Sequence, residues 1–118
     1  MTLLQVIMIL IQIESGGNVN AVGDGGDAIG CLQIHPVMVK ECNRILGRGE
    51  FTLANRWSKR LSIQMAYIFL THQWERYHKD HGEAPSALDL AVAWNTGSIY
   101  KDNRLYRRKV KLLLKQGR

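Results

Sequence analysis

The 118-residue chain has little that could staple or anchor it. Cys31 and Cys42 are its only cysteines, too few for a disulfide framework or a closed zinc site. They read as reduced, partly buried small residues, with a single bridge as the alternative; no metal and no cofactor is expected. No apolar run is long enough to cross a membrane. The most apolar stretch gives a helix over residues 2–14, which spans about 20 Å at ~1.5 Å per residue, short of a ~30 Å hydrocarbon core. No basic segment precedes this stretch and no small-residue cleavage site follows it, so it does not read as a secretory signal. Repeats, low-complexity tracts and long linkers are also missing. Residues 1–118 are therefore expected to form one domain.

Acidic groups are scarce, and unevenly so. Lys and Arg number 16 against 10 Asp and Glu, a net charge of +6. Residues 1–50 carry three basic and five acidic groups, and residues 51–118 carry thirteen and five. A basic half fits a polyanionic partner, whether nucleic acid, bacterial envelope or anionic lipid, and charge alone does not choose among them. What remains is ordinary for a soluble globular chain: 46% hydrophobic and 22% charged residues, with 3 Trp, 4 Tyr and 2 Phe available for a core or a sugar-stacking cleft.

Read in order, residues 2–14 form a helix that is apolar on nearly every side, which predicts a core position surrounded by protein. Six of the eleven glycines fall in residues 16–30, among Asn18, Asn20, Asp24 and Asp27, a turn-rich stretch with a small hairpin. Ile29 to Ile34 reads as a short strand or extended segment. Pro36 opens a helix that Gly47 ends. A long helix follows over about 58–79, with Leu61, Met65, Ile68, Phe69 and Trp74 inward. Ser86 caps the next, with Asp89 as a variant capping box, ending near 95–97. Asp102 or Asn103 caps a last helix to about Lys115.

Glu14 is the first charged side chain, after thirteen uncharged residues, where a helix meets a glycine-rich loop. Apolar surroundings and the negative end of the helix dipole both favour its protonated form. A carboxyl that keeps its proton near neutral pH is what glycosidic cleavage needs, because the departing sugar oxygen must receive a proton. The competing reading is a helix-end Glu facing water. Asp24 and Asp27 follow in a loop that could hold a second carboxylate opposite the first, or they simply serve turns. Leu88, Ala91, Val92 and Asn95 share one helical face, so Asn95 continues an inward apolar stripe, either as a buried amide lining a polar cleft or as a helix-end Asn. Tyr106 shares a face with Val110 and Leu113.

Four segments in order then resemble one family. Ile13-Glu14-Ser15-Gly16-Gly17-Asn18 is similar to the Glu-Ser segment of the soluble lytic transglycosylase and goose-type lysozyme superfamily. Gly30-Cys31-Leu32-Gln33-Ile34 resembles its Gly-Leu-Met-Gln-Ile segment, Ala93-Trp94-Asn95-Thr96-Gly97 its Ala-Tyr-Asn-Ala-Gly segment, and Tyr106 with Val110 and Leu112 its final Tyr-containing helix. The resemblance implies a mainly α, lysozyme-like α+β fold: a helical domain with a small Gly-rich hairpin or loop beside the active-site cleft. It also implies cleavage of the β-1,4 bond between N-acetylmuramic acid and N-acetylglucosamine. Glu14 would be acid and then base, and Ser15 and Gln33 would support it or contact sugar. Asn95 would bond near the reacting sugar, and Tyr106 would orient Glu14. Asp27 and His35 join the sugar-contacting set.

The chain departs from the family at Cys31 and Leu32, at Trp94 in place of Tyr, and at His35, where goose-type enzymes carry another acid. The loop Gly23 to Gly30 resembles the goose-type one, and Asp24 matches that type's second carboxylate. Two chemistries follow. A lytic transglycosylase uses Glu14 alone and closes a 1,6-anhydro ring, the favoured reading; a lysozyme uses Asp24 to help water attack. The other classes are a non-catalytic basic protein that binds nucleic acid or one that binds glycan. With no groove-reading motif, nucleic acid is not the expected partner. The expected partners are peptidoglycan strands and N-acetylglucosamine oligomers, met by a monomer. Residues 101–118, with eight basic groups against Asp102, add contact with the anionic envelope or form a solvated helix face. Family habit suggests a phage lysis or virion-borne enzyme, made in the host cytoplasm and acting in the periplasm or cell wall.

Overall fold

In the computed structural model, which describes residues 1–116, five α-helices frame one small hairpin. They are α1 (Leu3–Ser15), α2 (Pro36–Leu46), α3 (Lys59–His81), α4 (Ala87–Thr96) and α5 (Arg104–Gln116). Strands β1 (Val22–Gly23) and β2 (Ala28–Ile29) pair antiparallel, Val22 opposite Ile29, around a 3-10 turn at Asp24–Gly26. Another 3-10 turn, Leu53–Trp57, leads into α3. This is the mainly helical, lysozyme-like α+β architecture expected from the sequence. Arg118, one of the eight basic groups of the C-terminal cluster, lies outside the described residues.

Local chemistry sets the helix ends. Thr2 and Gln5 form a reciprocal capping box at the start of α1. Pro36 occupies the first turn of α2, and Gly47 closes it in the left-handed conformation at φ 74°. Ser58 caps α3 through the Leu61 amide. Ser86 Oγ accepts from the Asp89 amide, but Asp89 turns its own carboxylate to Arg107, at 2.9 Å, instead of completing a box. Arg107 also donates to Asp102, so one guanidinium fastens α5 to α4 and to its own entry loop. Asn103 caps α5, its Oδ1 accepting from the Tyr106 amide.

α3 is the central rod. Its Met65, Ala66, Phe69 and Leu70 are buried with Val6, Ile7, Leu10 and Ile11 of α1, Leu90 to Trp94 of α4, and Tyr106 and Val110 of α5. Leu61, Ile68 and Trp74, expected inward, pack at its margin as partly buried residues. Cys31 and Cys42 are buried free thiols. Burial pushes the Cys42 thiol up to about 12, so it stays an inert S–H that donates to the Met65 carbonyl. Two buried polar residues are satisfied: Ser62 Oγ donates to the Arg56 carbonyl, and Gln73 Oε1 accepts from the Ile99 amide. Among the described residues no buried side-chain N or O lacks a partner.

Two expectations are corrected. α1 is not enclosed: Leu4 is 45% and Met8 40% exposed, on the face turned away from α3, α4 and α5. A small domain lacks enough polar surface to cover itself, so an apolar outer face does not imply a protein neighbour. Beyond Ile29, which ends β2, residues 30–34 do not continue as a strand either. Gly30 (φ 83°) and Gln33 (φ 50°) take left-handed conformations, and the chain folds back so that Ile29 and Ile34 exchange both backbone hydrogen bonds.

Candidate active site

An open cleft of about 400 Å³ runs between the hairpin and the end of α4, lined by residues that include Glu14, Asp24, Gln33, His35, Trp94 and Asn95. Glu14 projects from the last turn of α1, which stops at Gly16 in the left-handed conformation (φ 62°). The carboxyl is half-buried. Burial, first, holds it above the usual Glu range, and the negative charge of Asp24 adds to this. A hydrogen bond from Tyr106 and the charges of Lys109 and His35 oppose the rise without cancelling it. Tyr106 Oη donates to Glu14 Oε2 at 2.7 Å. The phenol is buried and beside a carboxylate, both of which push its own proton affinity up, so it remains a donor at any working pH.

Tyr106 therefore fixes the direction of the Glu14 carboxyl and leaves the other oxygen for the cleft. Tyr106→Phe should lower the rate roughly tenfold, the scale of a lost hydrogen bond to a charged group. It should also move the alkaline limb of kcat/KM to higher pH, because it removes an influence that helps Glu14 ionise. An unmoved limb would mean that Tyr106 does not set the ionisation.

The neighbouring loop is braced from within. Gln33 Nε2 donates to the carbonyls of Ala21 and Gly30, and its side-chain oxygen sits where a Cβ on Gly23 would be. Ser15 Oγ donates to the Cys31 carbonyl at 2.8 Å, tying the end of α1 to the same loop. Arg56 spans it from outside: Nη1 donates to the carbonyls of Asp27 and Ile34, both at 3.0 Å, and Nε to that of Leu53. On the far wall, buried Trp94 donates from its indole to the Leu32 carbonyl at 3.3 Å and meets Phe69 edge-on.

Of the residues singled out in the sequence, Glu14, Asp24, Gln33, His35 and Asn95 share the cleft, and Tyr106 stands behind Glu14. Ser15 braces the loop without lining the cleft, and Asp27 is exposed outside it, contributing a backbone carbonyl to Arg56. Asn95 is exposed rather than buried: α4 ends one residue later, and the cleft opens to water there. Its Oδ1 accepts from Asn103 Nδ2 at 2.9 Å, which links it to the cap of α5. Sequence reasoning missed Arg56, which no local pattern marks, and Lys109, which the helical spacing from Tyr106 could have placed near Glu14.

A helical, lysozyme-like domain with a shielded carboxyl over an open cleft has the arrangement that glycosidic cleavage by a general acid requires. The chain matches the family model described as the transglycosylase SLT domain over residues 1–112. It belongs to that family, whose members are lytic transglycosylases that cleave glycosidic bonds of peptidoglycan. No curated protein and no solved structure matched the chain.

Proposed function

We propose that this protein cleaves the β-1,4 bond between N-acetylmuramic acid and N-acetylglucosamine as a lytic transglycosylase, leaving 1,6-anhydromuramic ends. The observation that carries the reading is the Glu14 carboxyl, held above its usual range by burial and aimed by Tyr106. In its protonated form Glu14 gives a proton to the leaving oxygen, and as a carboxylate it then accepts one from the muramic 6-hydroxyl. Asn95 and the rim of the cleft contact the sugars, Gln33 and Ser15 hold the loop, and His35 and Asp24 face the strand from the hairpin side. A second reading, hydrolysis with Asp24 assisting water, is favoured by one observation: Asp24 lines the same cleft and acts electrostatically on Glu14.

The exposed cations Arg104, Arg108, Lys109, Lys111 and Lys115 line α5, and with them we associate contact with the anionic envelope. One experiment addresses both points: mass spectrometry of digests of intact sacculi and of soluble glycan strands at rising salt. Anhydro ends are lighter than reducing ends by one water. Reducing ends throughout would overturn the transglycosylase reading. A salt-induced loss on sacculi but not on soluble strands is expected if the basic helix contributes, and parallel curves would exclude it.

A further inference from the structure

Apart from Glu14, Asp24 is the only carboxylate lining the cleft among the described residues, and it is not free. His35 Nε2 lies 2.8 Å from Asp24 Oδ2. The partners come from different elements: Asp24 opens the 3-10 turn between the strands, and His35 sits at the N-cap of α2 with its side chain unused as a cap. Asp24 holds a left-handed backbone (φ 50°) that non-glycine residues seldom adopt. Arg56 fixes the spacing of the two, since its guanidinium grips the carbonyl of Asp27 beyond the turn and that of Ile34 just before His35.

We infer that His35 is a positioning residue for the reaction: by holding Asp24, it keeps the second carboxylate of the cleft from serving water, and so directs the sugar to its own 6-hydroxyl. The inference rests on the reading of Glu14 given above. In the first step the C1–O4 bond breaks, the electron pair leaves with O4 of N-acetylglucosamine, and that oxygen takes the Glu14 proton. In the second step the 6-hydroxyl oxygen of the same muramic residue bonds to C1, and its proton returns to Glu14. No water is consumed. In the competing step a water oxygen bonds to C1 and its proton passes to a carboxylate, giving a reducing end. A general base must come within about 2.6–3.2 Å, heavy atom to heavy atom, of the group whose proton it takes. The imidazole occupies one Asp24 oxygen and biases the plane of the carboxylate, so the group meets that water less often.

The test is the ratio of reducing to anhydro ends per bond cleaved, which a purely structural weakening would leave alone. An exposed ion pair contributes little to stability, so His35→Ala is expected to fold. It should raise the reducing-end fraction on the order of tenfold, less than the ~10²–10⁴-fold of a full general base because an exposed pair restrains Asp24 only in part. His35→Ala with Asp24→Asn should return to the wild-type ratio. A ratio that is unchanged or lower in His35→Ala, or a rise that survives Asp24→Asn, overturns the inference and leaves the transglycosylase reading standing. A wild-type enzyme that gives only reducing ends overturns that reading, and this inference with it.

Discussion

Replacing Glu14 by Gln is expected to stop cleavage and, at the same time, to stabilise the protein at neutral pH. A general acid contributes about 10²–10⁴-fold, so the variant should lose on the order of a thousandfold in kcat with glycan binding retained. The stability gain follows from the same burial. The folded protein holds the Glu14 proton more tightly than the unfolded chain does, so the cost of a buried carboxylate is absent at pH below the ordinary Glu range. As pH rises through the folded value, that cost appears and the wild type loses stability. Gln has no proton to lose, and its side-chain oxygen can still accept from Tyr106. Thermal unfolding in acid should therefore show two similar proteins. At neutral pH the variant should be more stable, by about 1 kcal/mol as for other relieved active-site strain. A variant that keeps a tenth of wild-type activity would remove Glu14 as the acid; equal stability at both pH values would mean that its burial carries no cost.

Gly30→Ala should be the most damaging glycine-to-alanine change among the described residues. Gly30 sits at φ 83°, and a Cβ there would lie 2.0 Å from the backbone oxygen of Arg56. The left-handed conformation alone costs an L-residue about 1–2 kcal/mol. The overlap adds more, because a backbone carbonyl cannot swing aside as a side chain can. A total of about 3–5 kcal/mol places the change among the exceptional ones, read as a fall in the urea midpoint. Gly16→Ala is the control: it has a similar φ of 62° but no atom within 4 Å of the added carbon, so only the conformational cost remains. Equal losses in the two variants would mean that the contact with Arg56 is unimportant.

The helix ends were legible because a few neighbouring residues decide them. Pro36 and Gly47, Ser86, and Asn103 each act within one turn. Glu14 was legible as a candidate because a charge after thirteen uncharged residues is a local anomaly; its partner Tyr106 came from the order of motifs, since no periodicity connects positions 92 apart. Features built on distant pairs were hidden. Arg56 reaches Asp27 across 29 positions, and a lone Arg before a helix looks like any surface cation. The fold-back of residues 29–34 was masked by β-branched residues at its two ends, which suggest a strand, while the left-handed Gln33 that closes it gives no sign in composition. Asn95 misled for a geometric reason: a helical stripe predicts burial only while the helix continues, and α4 stops beside the cleft.

The hydrogen bond from Tyr106 to Glu14 has a consequence for how activity arises as the chain folds. α1 supplies the proposed acid early in the sequence, but the donor that orients it arrives only when α5 docks, guided by the cap at Asn103 and the clamp of Arg107. A molecule whose other four helices are packed would still hold an unaimed acid. If Glu14 is the acid, as proposed, opening of that one helix is expected to lower turnover by at least the roughly tenfold assigned to the Tyr106 hydrogen bond, while most of the core stays assembled.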